Sequence, residues 1–309
     1  MMFDIIGKRF WFFFITGVVI LVGIVSLATF GLKAGIEFSS GSMMTVGFEQ
    51  GVDQGELKEE LASLGYANVI IQRSGEGAFL LRLPELSGEA KTELEAGLTD
   101  GFGALEVREF DIVSPMVAAE TARNAAIAVA VAAVGILFYI TWAFHRMPNP
   151  FRYGTCAIVA LIHDTLVALG AFSILGGILG WEINLMFITG ILAVIGYSVN
   201  NTVVVFDRIR ENLTKDARSD FEVVVNNSLV ETLSRSLNTS LTTLFVVIAL
   251  LFFVGVSIQN FAVVLLIGVI AGTYSSLCIA PTLLVIWKKG EWARFVKWRP
   301  LPAAKAEEG

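Results

Sequence analysis

Six apolar runs constrain what this chain can fold into. They lie at about 11–30, 122–142, 153–178, 183–206, 237–256 and 261–287. Each is long enough to cross roughly 30 Å of hydrocarbon, which takes about 20 helical residues. With 55% hydrophobic and only 16% charged residues, and a mean hydropathy of +0.72, the chain reads as an α-helical integral membrane protein with six transmembrane helices. The expected organisation is an N-terminus (1–10), a first span (11–30), a polar segment (31–118), a five-helix bundle (119–287) with a polar connection at 207–236, and a tail (288–309).

Charge orients the six spans. Fifteen of the 22 Lys and Arg residues fall in the N-terminus, the 143–152 connection, the 207–236 connection and the tail, all on one side. The segment 31–118 holds six basic residues against fifteen acids. The positive-inside rule therefore places both termini in the cytoplasm and 31–118 outside. The net charge of −6 comes from that external segment and carries no implication of nucleic-acid binding. Lys8, Arg9 and the following apolar run share features with a cleaved export signal, but a run of about twenty residues exceeds the usual signal core, so a retained first span is expected. Cys156 and Cys278 fall in separate spans, so packing rather than a disulfide is expected of them.

The external segment has the periodicity of a small mixed domain. Ser42–Phe48 alternates like a strand, Asp53 caps a helix to about Leu64, and Val69–Gln72 and Ala78–Leu83 are strands joined at Ser74–Gly77. A helix follows Ser87, and Leu105–Val113 is a last strand. The order βαββαβ is that of a ferredoxin-like α+β domain. It has no His, no Cys and no Gly-rich phosphate loop, so neither a catalytic nor a metal site is expected there. Its acids read as a solvated face, with a polypeptide-contacting surface as the alternative.

Polar residues inside the spans carry the functional information, because polar groups at membrane depth face a protein interior or a water-filled path. His163-Asp164 lies near the middle of the third span, either as a buried pair joining helices or as part of an ion or proton path. In the fourth span, Gly190, Tyr197 and Asn201 share a face at helical spacing, with Asn200 nearer the Asp207 face. Glycines 190 and 196 are expected to admit a neighbouring backbone. In the fifth, Arg235, Asn238 or Thr239, and Thr242 recur at i, i+3/4, i+7 and form one polar stripe, expected to face inward. Arg235 is either a fixed positive charge beside a carboxylate or an arginine snorkelling to the headgroups.

The run Gly196-Tyr197-Ser198-x-Asn200-x-Thr202-Val203-Val204-Val205-Phe206-Asp207-Arg208 resembles the signature of the SecF family of the bacterial SecD–SecF protein-export complex. The similarity extends to His163-Asp164, to Leu233–Thr243, to Pro115 and Glu120, and to Gly35-Ile36-Glu37-Phe38-Ser39-Ser40-Gly41 after the first span. The family belongs to the resistance–nodulation–division superfamily, in which two six-helix halves form one unit. The resemblance implies SecD as the other half, association with the SecY–SecE–SecG channel in the cytoplasmic membrane, and an unfolded preprotein as substrate. It further implies a proton-motive force as energy source, without ATP or cofactor.

Two departures accompany the resemblance. The family has Asp and a Gly-Gly pair where this chain has Glu37 and Ser40-Gly41, a change expected only to retune a loop. It also has Asp where this chain has Asn201, an amide that does not titrate. The expected proton relay therefore runs through Asp164, with Arg235 as fixed charge and the partner's acids, or is weakened. Half of a small-molecule exporter of the same superfamily is the alternative, against which the external segment, with no aromatic-rich pocket, speaks. An aspartyl protease needs a second deep aspartate, and a zinc protease needs a His pair at helical spacing. The two histidines, His145 and His163, lack that spacing.

Overall fold

The computed structural model of the chain describes residues 4–73, 77–215, 218–253 and 256–292. Ser74–Glu76 of the expected turn and the tail beyond Trp292 lie outside the described residues. Among the described residues, six helices are long and apolar enough to cross a membrane. The first, α1 (Arg9–Thr29), leads through the short helix α2 (Ile36–Ser39) into the extramembrane domain.

That domain follows the order expected of it. Strand β1 (Gly41–Phe48), helix α3 (Gln54–Ser63), strands β2 (Ile70–Arg73) and β3 (Ala78–Leu83), helix α4 (Gly88–Phe102) and strand β4 (Leu105–Val113) form an antiparallel sheet in the order β2-β3-β1-β4. Both helices start where the caps predict. Asp53 Oδ1 accepts from Gly55 N at 2.7 Å, and Ser87 Oγ from Ala90 N at 3.2 Å. Leu57, Leu61, Leu94 and Leu98 pack on Met44, Val46, Phe79 and Leu81 in one core. Each such leucine contributes about 1.5–3 kcal/mol through burial.

The sequence after the first span is a tight seam. Gly35 N donates to Ile183 O at 2.7 Å, and a Cβ at Gly35 would lie 2.9 Å from that oxygen. Gly41 adopts φ 126°, and a Cβ there would lie 2.7 Å from Leu83 O. Ser40, where the resembled family carries glycine, adopts φ 64° and ψ 167°. Only glycine enters that region freely, and a side chain there costs on the order of 1–3 kcal/mol. The change at this position is thus a strained backbone, more than the retuned loop expected.

Five further spans complete the bundle. They are α5 (Pro115–Ala143), α6 (Pro150–Leu179), α7 (Leu185–Lys215), α8 (Phe221–Phe253), and a last span made of α9 (Val256–Tyr274), a π-helical turn (Ser275–Ile279) and α10 (Ala280–Lys289). The polar 207–236 connection is helical on both sides rather than irregular. Asp207–Arg210 (2.6 Å), Arg208–Glu211 (2.5 Å) and Glu211–Lys215 (2.6 Å) are i,i+3 and i,i+4 pairs that carry α7 past its apolar run. At the end of the bundle opposite the domain, buried Arg9 pairs with Glu222 at 2.7 Å and Glu291 at 2.8 Å. Asn226 Oδ1 accepts from the backbone N–H groups of Ile5 and Ile6. The start of α1, the start of α8 and the end of α10 are held together there.

Candidate functional site

The intramembrane polar residues separate into two groups facing in different directions. The first is closed. Asp164 on α6 is 1% exposed and His163 6%. His163 Nδ1 lies 2.9 Å from Asp164 Oδ1, while Asp164 Oδ2 accepts from Ser198 Oγ at 2.5 Å and Ser275 Oγ at 2.8 Å. A second layer continues it. Thr202 Oγ1 donates to Ser276 Oγ at 3.2 Å, and Ser276 Oγ to Ser198 O at 3.4 Å. One carboxylate thus joins α6, α7 and the π-helical turn of the last span, and both its oxygens are engaged.

Glycine makes this approach possible. A Cβ at Gly272 would lie 3.0 Å from Ser198 Cβ, and one at Gly190 would lie 2.9 Å from Val264 Cβ. Gly190 therefore admits α9 as expected. Gly196 faces open space, so the close approach expected there does not occur.

Helices α7 and α8 meet along an antiparallel ladder. Tyr197 OH donates to Ser240 Oγ at 2.9 Å, which lies 2.6 Å from Thr273 Oγ1 on α9. Further along, Arg208 Nε donates to Glu231 Oε2 at 2.5 Å and Asn212 Nδ2 to Ser228 Oγ at 3.0 Å. Between these rungs, one turn from Tyr197 and Ser240, stand Asn201 and Ser236. Both are buried, and neither Asn201 Nδ2 nor Ser236 Oγ has a hydrogen-bond partner among the described residues.

The second group faces outward. Arg235, Asn238, Thr239 and Thr242 are exposed, as are Asn200 and Gly196 on α7. Thr239 and Thr242 hydroxyls turn back onto the α8 backbone, at Arg235 O and Thr239 O. The stripe expected to line the interior instead lies on the outer surface of this bundle. The side of α8 that packs inward carries Ser236, Ser240 and Val247. Asp164 and Arg235 are accordingly not brought together, and no carboxylate among the described residues pairs with Arg235. Asp207 and Arg208 sit beyond the apolar part of α7 in exposed ion pairs.

Sequence reading missed Ser275, Ser276, Ser240 and Thr273 as members of the polar network. A signal was present: Thr273-Tyr274-Ser275-Ser276 interrupts the last apolar run much as Asn200-Asn201 interrupts the fourth. Among the described residues no cluster of His, Cys, Asp or Glu has the makings of a metal site.

Comparisons with known proteins agree with this architecture. Residues 93–290 match the family described as protein export membrane protein SecD/SecF, C-terminal, and residues 25–52 match the SecD/SecF GG motif. The chain is 41% identical over 99% of its length to the whole protein translocase subunit SecF of Thermobaculum terrenum, and 39% identical over 98% to the whole of that of Anaerolinea thermophila. It is 36% identical to protein translocase subunit SecDF of Bacillus subtilis, covering 93% of this chain and 38% of that one. The crystal structure of SecDF from Thermus thermophilus, a translocon-associated membrane protein, matches with a TM-score of 0.84 at 32% identity, over 94% of this chain and 39% of that one. The chain thus spans about two fifths of those longer proteins and the full length of the separate SecF subunits. By family match, full-length identity and fold, this chain belongs to the SecF branch of the SecD/SecF protein-export membrane proteins.

Proposed function

We propose that the chain is the SecF half of a proton-driven accessory unit of the Sec translocase. Paired with a SecD half and associated with the SecY–SecE–SecG channel, it promotes export of unfolded preproteins across the bacterial cytoplasmic membrane. Both termini lie in the cytoplasm and residues 31–118 outside, following the charge asymmetry of the connections. The proton gradient is its energy source, without ATP or cofactor.

The observation that carries this reading is the outward stripe on α8. Arg235 adjoins Ser236, which is buried level with Asn201, at the start of the apolar run at 237–256, and an arginine left facing lipid there carries a cost that grows with depth. A second six-helix half covers the stripe and supplies the carboxylate that Arg235 lacks here. Protons act at that seam between the halves. The buried Asp164 cluster fastens α6, α7 and the last span into a unit that moves as one. One proton crossing 100 mV releases about 2.3 kcal/mol, enough to bias such an equilibrium. Asn201, one turn from Tyr197 on the inner ladder, lends this seam no titratable group.

The test is late-stage translocation of a secretory reporter in membrane vesicles containing this chain and its SecD half. Collapse of the gradient with an ionophore is expected to slow completion to the level of vesicles lacking the pair. Completion that depends on the pair but ignores the gradient would refute proton coupling.

A further inference from the structure

The extramembrane domain rests on the α6–α7 connection through Arg82, with Gln72 beside it. Arg82 on β3 donates from Nη2 to Ala34 O at 2.6 Å and to Ser39 Oγ at 2.8 Å, and its guanidinium pairs with Glu182 in that connection. The two side chains are only 14% and 15% exposed, far more shielded than a surface ion pair of negligible worth. The connection is itself held firmly. Ile183 N donates to Lys33 O at 2.7 Å, Asn260 Nδ2 on α9 donates to Glu182 O at 2.9 Å, and Gln72 Nε2 on β2 reaches Gly180 O at 3.1 Å.

Chain connectivity alone leaves the domain's orientation loosely fixed, through residues 30–40 on one side and 113–115 on the other. The two helices that the Asp164–Ser198 contact joins, α6 and α7, run directly into the connection that carries Glu182. Arg82, with Gln72 beside it, therefore stands between the intramembrane cluster and the sheet. It takes no part in the domain's apolar core, so its replacement leaves that core intact.

We propose that Arg82 is a positioning residue for export, gripping Glu182 and the backbone of the seam so that movement of α6 and α7 is transmitted to the ferredoxin-like domain. This rests on the functional reading above. Spin labels on full-length protein paired with its SecD half, at Glu89→Cys on α4 and Leu179→Cys at the end of α6 in a Cys156→Ala, Cys278→Ala background, report the domain's position at neutral pH. The unaltered pair is expected to give one narrow distance distribution. Arg82→Glu is expected to broaden it and to lower gradient-dependent export at least fivefold, and Arg82→Glu combined with Glu182→Arg to restore both. An unbroadened distribution in Arg82→Glu, a broadened one with unchanged export, or a charge swap no better than the single variant would each overturn the proposal. Unaltered protein whose export ignores the gradient would overturn the functional reading and this coupling with it, whereas failures confined to the Arg82 variants overturn the coupling alone.

Discussion

The polar residues around Asp164 and those around Arg235 lie at similar depth in the same bundle, yet they are finished to different degrees. Asp164 is enclosed, with three polar partners on its two oxygens from three helical segments. Arg235 is exposed beside Asn238, Thr239 and Thr242 and meets no carboxylate among the described residues. A self-satisfied polar cluster specifies how one chain packs, whereas an exposed polar stripe at membrane depth specifies that something else must cover it. The first belongs to the fold of this subunit and the second to its assembly.

The sharpest way to break this contrast is to remove each charge and compare stability with export. Asp164→Ala strands buried hydroxyls and an imidazole, so thermal unfolding of the purified protein should reveal a loss of about 3 kcal/mol. Arg235→Leu should leave unfolding within about 0.5 kcal/mol but lower gradient-dependent export roughly tenfold, the equivalent of about 1.4 kcal/mol. Equal destabilisation by the two would erase the distinction. Ser40→Gly, outside both regions, should stabilise by about 1 kcal/mol in the same unfolding assay by relieving the backbone. Ser236→Ala, which removes a buried hydroxyl without a partner, should be neutral or stabilising by less than about 1 kcal/mol.

Glu182 lies between the two cases, shielded but paired. Burial pushes its carboxyl above the usual range, with Arg82 and Lys33 pulling it back and Glu37 adding to the rise. A value raised in the docked state means that docking binds the proton. Docking is therefore tightest below the ordinary glutamate value and loosens as pH rises through the raised one. Label distances should be modestly narrower at acid than at alkaline pH, and the opposite trend would contradict the sign.

The sequence was most legible where periodicity and caps act locally. Asp53 and Ser87 marked helix starts, alternation in Leu105–Val113 marked the last strand, and the apolar runs marked all six spans. It was least legible where orientation depends on the neighbour. The Arg235, Asn238 and Thr242 spacing correctly defined one face of α8, but spacing does not say whether a face meets its own bundle or another chain. The partners of Asp164 were hidden for a related reason: Ser275 is 111 positions away, and a serine in an apolar run registers only as a weak interruption. The helical extension of α7 past Phe206 was missed because charge was read as loop, although Asp207–Arg210 and Glu211–Lys215 have the spacing that supports a helix.

The π-helical turn at Ser275–Ile279 sets the register between the two ends of the last span. Such a turn amounts to one inserted residue within an α-helix, and each residue rotates a helix by about 100°. At its start, Ser275 and Ser276 point at Asp164 and Ser198; behind it, every residue from Ala280 to Ile286 is buried. Removing one residue at the turn would return it to the α-helical repeat with both ends in register. Removing one from the regular helix on either side would instead swing either the serines off the carboxylate or Ala280–Ile286 off their packing. Substitutions at the turn would change single contacts, but a one-residue deletion in the flanking α-helix would put the two ends of the span out of phase.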